Sequence, residues 1–171
     1  VKEIRRKEVL KATEILGVPN DNVIFLDFED GFLSNYKAEA EEKVCEILGR
    51  YRPVEIYAPF KNDGHQDHRV TNKIVNKCVK KLGLESEMYQ YCIMHKFARF
   101  GPMFERALGL FKRNIIKVDV SQFLKIKEKA IREFNSEFSI ISKRQSKPLE
   151  DKIDKYLKKI ELFFVNKRNI R

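Results

Sequence analysis

Short apolar runs rich in β-forming residues alternate along this chain with longer segments of helical periodicity. The apolar runs are at 22–28, 54–60, 88–94 and 115–120. Apolar residues recur at helical spacing in segments at 2–16, 36–50, 70–82, 122–134 and 149–163. Gly17 followed by Pro19 and, further on, Gly83 act as stop signals for the helices that precede them. The alternation predicts an α/β fold with a mostly parallel sheet.

Two of the three histidines stand in the stretch KNDGHQDHRV, 61–70, directly after the predicted strand 54–60. In α/β proteins, ligands bind beyond the carboxyl ends of the strands. His65, Asp67 and His68 are therefore placed where such a fold holds its chemistry, although position in a fold does not define a function by itself.

The spacing of these three residues fits two interpretations. Imidazole is a common zinc ligand, and a second imidazole nearby can donate a proton or stabilise an oxyanion, with a carboxylate that orients it. Alternatively, Asp67 caps the following helix and the histidines belong to an ordinary polar turn. His95 stands beside Lys96 with no metal-binding partner nearby in sequence, which favours a structural or surface role.

The bulk composition indicates one globular domain with a substantial core. The chain has 171 residues, of which 43% are hydrophobic and 13 are Phe. No apolar run approaches the roughly 20 residues that span a bilayer. Residues 1–17 lack the apolar centre of a secretory signal, so we expect none within them.

The cysteines are odd in number and far apart, at Cys45, Cys78 and Cys92. No CxxC pair is present, which disfavours a disulfide framework and a cysteine-based zinc site. We therefore expect buried, reduced thiols and a cytoplasmic protein.

The net charge is +10 and its distribution along the chain is uneven. Residues 1–50 carry 8 Lys or Arg and 11 Asp or Glu, whereas residues 143–171 carry 10 and 4. A basic C-terminal region of this kind suits nucleic acid, an anionic membrane surface or a phosphorylated substrate. It equally suits a solvated, lysine-rich surface with no partner.

Several stretches together resemble one known family. They are RRKEVLKATEILGV with Arg5 and Glu8, LDFEDGFL with Asp30, RPVEIYAPFKNDGHQDHRV, VDVSQFLKIKEKAIREFNS and IELFF. In this order and spacing they resemble the PIG-L/LmbE-like family of zinc-dependent deacetylases, which remove acetyl groups from N-acetylglucosamine-type sugars. The resemblance extends from Arg5 to Phe163 and implies a Rossmann-like three-layer fold.

The resemblance also implies roles for individual residues. His68 would be a zinc ligand, and His65 would be the imidazole beside the scissile carbonyl. Asp67 would support His65. Arg5 and Asp30 match positions on the substrate side. The implied partner is an N-acetylated amino sugar, whether free, lipid-linked or glycosidic, and zinc is the implied cofactor.

One family signature does not occur in this sequence. The family's His-Pro-Asp-Asp motif, which supplies two further zinc ligands and the general base, is absent from residues 1–171. We therefore expect a single PIG-L/LmbE-like domain over 1–171 that is incomplete at its N-terminus and lacks the first strand–helix–strand unit. The remaining zinc ligands are expected in that unit, and these 171 residues alone are expected to be inactive.

A second hypothesis follows from the same absence. A degenerate deacetylase would retain the pocket as a noncatalytic sugar- or anion-binding module. Alternatively, the basic C-terminal region would bind an anionic membrane surface or nucleic acid, of which nucleic acid is the less expected partner.

Overall fold

The computed structural model describes residues 2–92, 115–138, 153–154 and 156–165. The helices are α1 (Lys2–Ile15), α2 (Lys37–Tyr51), α3 (Gln66–Lys81), α4 (Leu124–Arg132) and α5 (Asn135–Phe138). The strands are β1 (Glu55–Pro59), β2 (Glu87–Tyr91), β3 (Ile115–Asp119) and β4 (Ile160–Val165). Short 3-10 turns occupy Asn20–Asn22, Leu33–Tyr36 and Ser121–Phe123.

The predicted helix at 2–16 is confirmed as α1, which ends two residues before Gly17. Gly17 has a φ of +83°, a left-handed conformation that favours glycine. The predicted stop at Gly83 is also confirmed, because α3 ends at Lys81 and Gly83 has a φ of +58°. Glycine therefore ends both helices for the same conformational reason.

Strands β1 and β2 flank α3 in a βαβ unit, and they pair in parallel with Glu55 opposite Glu87. Helix α3 buries Ile74, Cys78 and Val79 on its inner face. Strand β1 contributes Ile56 and Ala58 to the same core. This packing fixes the position of the loop that joins β1 to α3.

The prediction of a mostly parallel sheet is wrong. The described strands lie in the order β1-β2-β4-β3 in a mixed, mostly antiparallel sheet. Strand β4 runs antiparallel to β2, with Tyr91 opposite Phe163. Parallel neighbours need a crossover connection, which α3 provides between β1 and β2. Apolar periodicity does not encode the direction in which a later strand enters a sheet.

Two predicted elements differ in the structure. Residues 23–29 form neither helix nor strand, and Asp27 has a φ of 62°, which interrupts an extended run that otherwise reads as a strand. Residues 160–163 belong to β4 instead of the predicted helix at 149–163, because pairing with β2 prevails over a spacing that also suits a helix. Residues 149–152 and 155 of that prediction lie outside the described residues, as do 93–94 of the predicted strand 88–94.

The chain divides into two compact units. One unit comprises residues 1–25 and 118–161, and the other comprises 26–117 and 162–171. In the first unit, Glu8 of α1 accepts hydrogen bonds from the Ser136 backbone N–H at 2.7 Å and from its hydroxyl at 2.6 Å. The second unit contains β1, α2, α3 and β2.

The cysteines differ from the prediction of reduced thiols. Cys45 of α2 and Cys78 of α3 form a disulfide, and Cys92 is the one free thiol. The two partners are 33 residues apart, and their proximity arises because α2 packs on α3, which spacing along the sequence does not reveal. The disulfide removes the argument from reduced thiols for a cytoplasmic location.

Candidate active site at the carboxyl end of strand β1

The segment 60–68, which we call the histidine loop, leaves β1 and enters α3. Its first residues are tied to the neighbouring strand β2. The Phe60 N–H donates to the Tyr91 carbonyl at 2.7 Å, and the Lys61 N–H donates to Gln90 Oε1 at 3.0 Å. These bonds fix where the loop begins.

The buried side-chain amide of Asn72 also holds the start of the histidine loop in place. Asn72 Nδ2 donates to the Pro59 carbonyl at 2.7 Å and to Gln90 Oε1 at 3.0 Å. Both Asn72 and Gln90 are buried, at 4% and 1% exposure. Buried polar groups in a satisfied network hold their positions firmly, so the loop rests on a rigid base.

Asp63 lies at the centre of the histidine loop, and its side chain has 0% exposure. Its Oδ1 atom accepts a hydrogen bond from the His65 backbone N–H at 2.9 Å and lies 2.9 Å from His68 Nδ1. The Asp63 carbonyl also accepts a hydrogen bond from Arg69 Nη1 at 2.9 Å. One carboxylate therefore contacts both the backbone of His65 and the ring of His68.

The two imidazoles lie beside each other, with ring centroids 4.8 Å apart. His65 is the N-cap of α3, and its Nδ1 atom accepts a hydrogen bond from the Asp67 backbone N–H at 3.2 Å. His68 lies in the first turn of α3 with a side chain that is 24% exposed. Both histidines are half-buried residues.

Asp67 has a different role from the predicted one. The sequence predicted that its carboxylate would accept a hydrogen bond from His65 or cap the helix. Instead, Oδ2 accepts from the Gly31 N–H at 2.6 Å, and Oδ1 accepts from the Leu33 N–H at 3.2 Å. The cap is His65, because its β-region backbone places a ring nitrogen over the first turn. Asp67 therefore attaches the 31–33 segment to the start of α3.

Asp30 and Arg5 lie in different surroundings. Asp30 is exposed in the turn that contains Gly31, and it lines a crevice of about 290 Å³ together with Asp67. The imidazoles are not among the residues that line this crevice. Its apolar walls are formed by Leu26, Phe28, Leu33, Ala40, Val44 and Ile74. Arg5 is exposed on α1 in the other unit, and His95 lies outside the described residues.

The sequence interpretation missed Asp63, Asn72 and Gln90. A signal for Asp63 was present, because an Asp two residues before a helix cap commonly bonds the backbone N–H two positions later. Asn72 and Gln90 gave no signal of this kind. Their roles depend on contacts across the βαβ unit, between a helix residue and a strand residue 18 positions away.

Asp63 contributes to raised pKa values at two nearby residues, Tyr91 in β2 and Cys92 directly after it. Burial, the Asp63 charge and a hydrogen bond to Asp63 raise the pKa of the Cys92 thiol to about 12. The Cys92 Sγ atom lies 3.6 Å from Asp63 Oδ2. Burial and the Asp63 charge also raise the pKa of Tyr91. Cys92 is therefore a protonated thiol at neutral pH and is unsuited to act as a nucleophile or metal ligand there.

The described residues include no group of three or more His, Cys, Asp or Glu side chains placed to hold one metal ion. A single imidazole from this region can contribute to a metal site, but a catalytic zinc takes about three protein ligands.

None of the described helices is long and apolar enough to cross a membrane.

Comparison with known protein families agrees with the resemblance found in the sequence. Residues 1–79, slightly less than half of the chain, match the family described as PIG-L: GlcNAc-PI de-N-acetylase. This match contains α1, α2, β1 and the whole histidine loop. The predicted resemblance to the PIG-L family is thereby confirmed.

Two solved structures are similar in fold. The conserved protein TT1542 from Thermus thermophilus matches with a TM-score of 0.64 and 25% identity, over 96% of this chain and 74% of that one. An N,N'-diacetylchitobiose deacetylase from Pyrococcus horikoshii, solved with its inhibitor MPG, matches with a TM-score of 0.67 and 21% identity. This second match covers 96% of this chain and 63% of that one, just under two thirds.

Proposed function

We propose that the protein containing this chain is a zinc-dependent deacetylase that hydrolyses the N-acetyl group of an amino sugar. The observation that most supports this is the pairing of His65 and His68 beside a fully buried Asp63 at the end of β1. The match to the PIG-L family covers the same residues. The Pyrococcus protein, which is a deacetylase of diacetylchitobiose, supports the same substrate class.

His68 is the proposed zinc ligand. In metal sites, a ligating histidine commonly donates its other ring N–H to a carboxylate, which orients the ring. The 2.9 Å contact between His68 Nδ1 and Asp63 has this form and leaves Nε2 for the metal. The donor chemistry of His68 therefore fits one position of a zinc site. When bound, zinc supplies a Lewis acid for the amide carbonyl and lowers the pKa of water.

His65 is the proposed partner of the substrate carbonyl. Its Nδ1 atom is occupied as an acceptor from the Asp67 N–H, so a neutral ring carries its proton on Nε2. An N–H at that position can donate a hydrogen bond to a developing oxyanion and so stabilise it. Asp67 assists indirectly, because its backbone N–H fixes the ring and its carboxylate holds residues 31–33.

The remaining components are proposed to lie outside these 171 residues. They are two further zinc ligands and a general base, carried by a strand–helix–strand unit that completes a single Rossmann-like three-layer domain. Arg5 and Asp30 are the proposed contacts on the substrate side. The cytoplasmic location expected from the sequence stays a prediction, and the Cys45–Cys78 disulfide does not support it.

The second hypothesis, a noncatalytic sugar- or anion-binding module, rests on the basic C-terminal region. Most of residues 143–171 lie outside the described residues, so this hypothesis is supported by the charge of the sequence alone. An anionic membrane surface is the proposed partner of this region.

The test is an assay of acetate and amine release from N-acetylglucosamine derivatives. Two forms are compared: the 171-residue chain, and the protein expressed from the longest reading frame that contains it. We expect turnover with zinc in the longer form and none in the shorter one. Binding of the sugar without turnover in both forms would favour the noncatalytic module. Turnover by the 171-residue chain would contradict our placement of the missing ligands.

A further inference from the structure

We propose that the two imidazoles of the site are held in opposite tautomers, and that Asp63 is the positioning residue that sets the tautomer of His68. The backbone N–H of Asp67 sets the tautomer of His65. His68 carries its proton on Nδ1, and His65 carries its proton on Nε2. The pair therefore presents an unprotonated Nε2 on His68 and an Nε2–H on His65 to a bound ligand. The metal-binding consequence rests on the proposed function, whereas the tautomers themselves do not.

The tautomer of His65 follows from its helix-cap contact. A backbone N–H can only donate, so the Nδ1 atom that receives the Asp67 N–H at 3.2 Å uses its lone pair. A neutral His65 then has its proton on Nε2. This contact is built into the first turn of α3, because His65 is the N-cap and Asp67 is the second residue of the helix.

The tautomer of His68 follows from its contact with Asp63. The carboxylate Oδ1 already accepts the His65 backbone N–H at 2.9 Å, so it acts as an acceptor in this environment. It lies at the same distance, 2.9 Å, from His68 Nδ1. An ionised carboxylate has no proton to donate, so the Nδ1 atom of His68 is the donor. The Nε2 atom of a neutral His68 is then bare.

Asp63 is held in place for this task. Its side chain has 0% exposure, so water does not compete for Oδ1. Its backbone N–H donates to the Phe60 carbonyl at 3.0 Å, and its carbonyl accepts from Arg69 Nη1 at 2.9 Å. Arg69 also donates to the Gly64 carbonyl at 3.0 Å. Backbone and side chain of Asp63 are therefore both fixed relative to α3.

The experiment measures the ring 15N chemical shifts of the metal-free 171-residue chain at a pH where the imidazoles are neutral. These shifts distinguish a protonated ring nitrogen from a bare one. His65→Gln, His68→Gln and His95→Gln assign the signals to the three rings. We expect His68 as the Nδ1–H form and His65 as the Nε2–H form. A wild-type His68 with its proton on Nε2 overturns the proposal, whatever the variants show.

Three variants separate positioning from mere packing. Asp63→Ala removes the acceptor, and we expect His68 to become a mixture of tautomers. Asp63→Asn keeps a carbonyl oxygen at the same place and should restore the Nδ1–H form. Cys92→Ala removes a contact to the other oxygen of the same carboxylate and should leave both rings unchanged. A pure Nδ1–H signal in a folded Asp63→Ala variant would also overturn the proposal.

A second readout applies to the longer, zinc-binding form. Loss of a carboxylate that orients a ligating histidine typically weakens metal affinity about 10–100-fold. We expect that loss for Asp63→Ala, with Cys92→Ala unchanged. If the 15N shifts agree with the proposed tautomers but the wild-type longer form does not bind zinc, the proposed function fails and the tautomer assignment stands.

Discussion

At the scale of single residues, the buried Asp63 carboxylate affects groups on two sides. His68 Nδ1 and the His65 N–H contact its Oδ1 atom, and Cys92 Sγ lies near its Oδ2 atom. A negative charge without access to water acts strongly on titratable neighbours. Its effect on Cys92 is therefore a chemical measure of whether Asp63 is buried and ionised.

The raised pKa of Cys92 predicts that its thiol is alkylated slowly. With a pKa of about 12 against an ordinary 9.0, the reactive thiolate is scarce at neutral pH. We expect alkylation by iodoacetamide at pH 8 to be about two to three orders of magnitude slower than for an unperturbed thiol. Removal of the charge in Asp63→Asn should lower the pKa and speed the reaction. Rapid alkylation of the folded wild-type chain would contradict this account.

The raised pKa of Cys92 also makes the free energy of unfolding depend on pH. The folded state holds the Cys92 thiol protonated, so its contribution is complete below the ordinary pKa of 9.0. That contribution is lost as the pH rises from there toward about 12, because the unfolded chain ionises first. Urea unfolding between pH 8 and 10.5 should show a steeper loss of stability in wild type than in Cys92→Ala.

At the scale of elements, the accuracy of sequence-based prediction depended on the range of the interactions involved. Helix α1 and the turn at Gly83 were predictable, because periodicity and glycine conformation are local properties. The position of His65 and His68 after β1 was predictable for the same reason. The antiparallel entry of β4 and the buried Asn72–Gln90 pair depend on contacts between distant segments, which periodicity does not record.

The disulfide between α2 and α3 predicts a redox-dependent stability. It closes a loop of 33 residues within one unit, which restricts the unfolded chain. We expect reduction to lower the free energy of unfolding by about 2–4 kcal/mol. Urea titrations with and without dithiothreitol measure this, and Cys92→Ser with the same reductant is the matched control. Equal midpoints, with free Cys45 and Cys78 found by mass spectrometry, would show that the bond does not form.

At the scale of the whole molecule, two of the stretches that suggested the family meet in one contact. Glu8 comes from the first and Ser136 from the VDVSQFLKIKEKAIREFNS segment, 128 residues apart. Glu8 is 6% exposed and Ser136 is 2% exposed. The contact joins α1 to α5 within one compact unit, so these two family-like residues have a structural role.

This contact predicts a measurable coupling. Hydrogen bonds to a buried charged group contribute about 1.5–3 kcal/mol each. We expect Glu8→Gln to lower the free energy of unfolding by about 1–3 kcal/mol, and Ser136→Ala to add little on that background. A double-mutant cycle isolates the coupling. Glu14→Gln, elsewhere on α1, is the control. Strictly additive losses for Glu8 and Ser136 would contradict a direct interaction.

The zinc content of two variants, made in the longest reading frame that contains this chain, tests most directly whether His68 is a zinc ligand. His68→Ala should lose zinc, because it removes the ring that Asp63 orients. His65→Ala should keep stoichiometric zinc and lower turnover by about two to three orders of magnitude. Elemental analysis of the purified proteins decides between them. Stoichiometric zinc in His68→Ala, or its loss from His65→Ala, would contradict the assignment of His68 as the zinc ligand and His65 as the oxyanion donor.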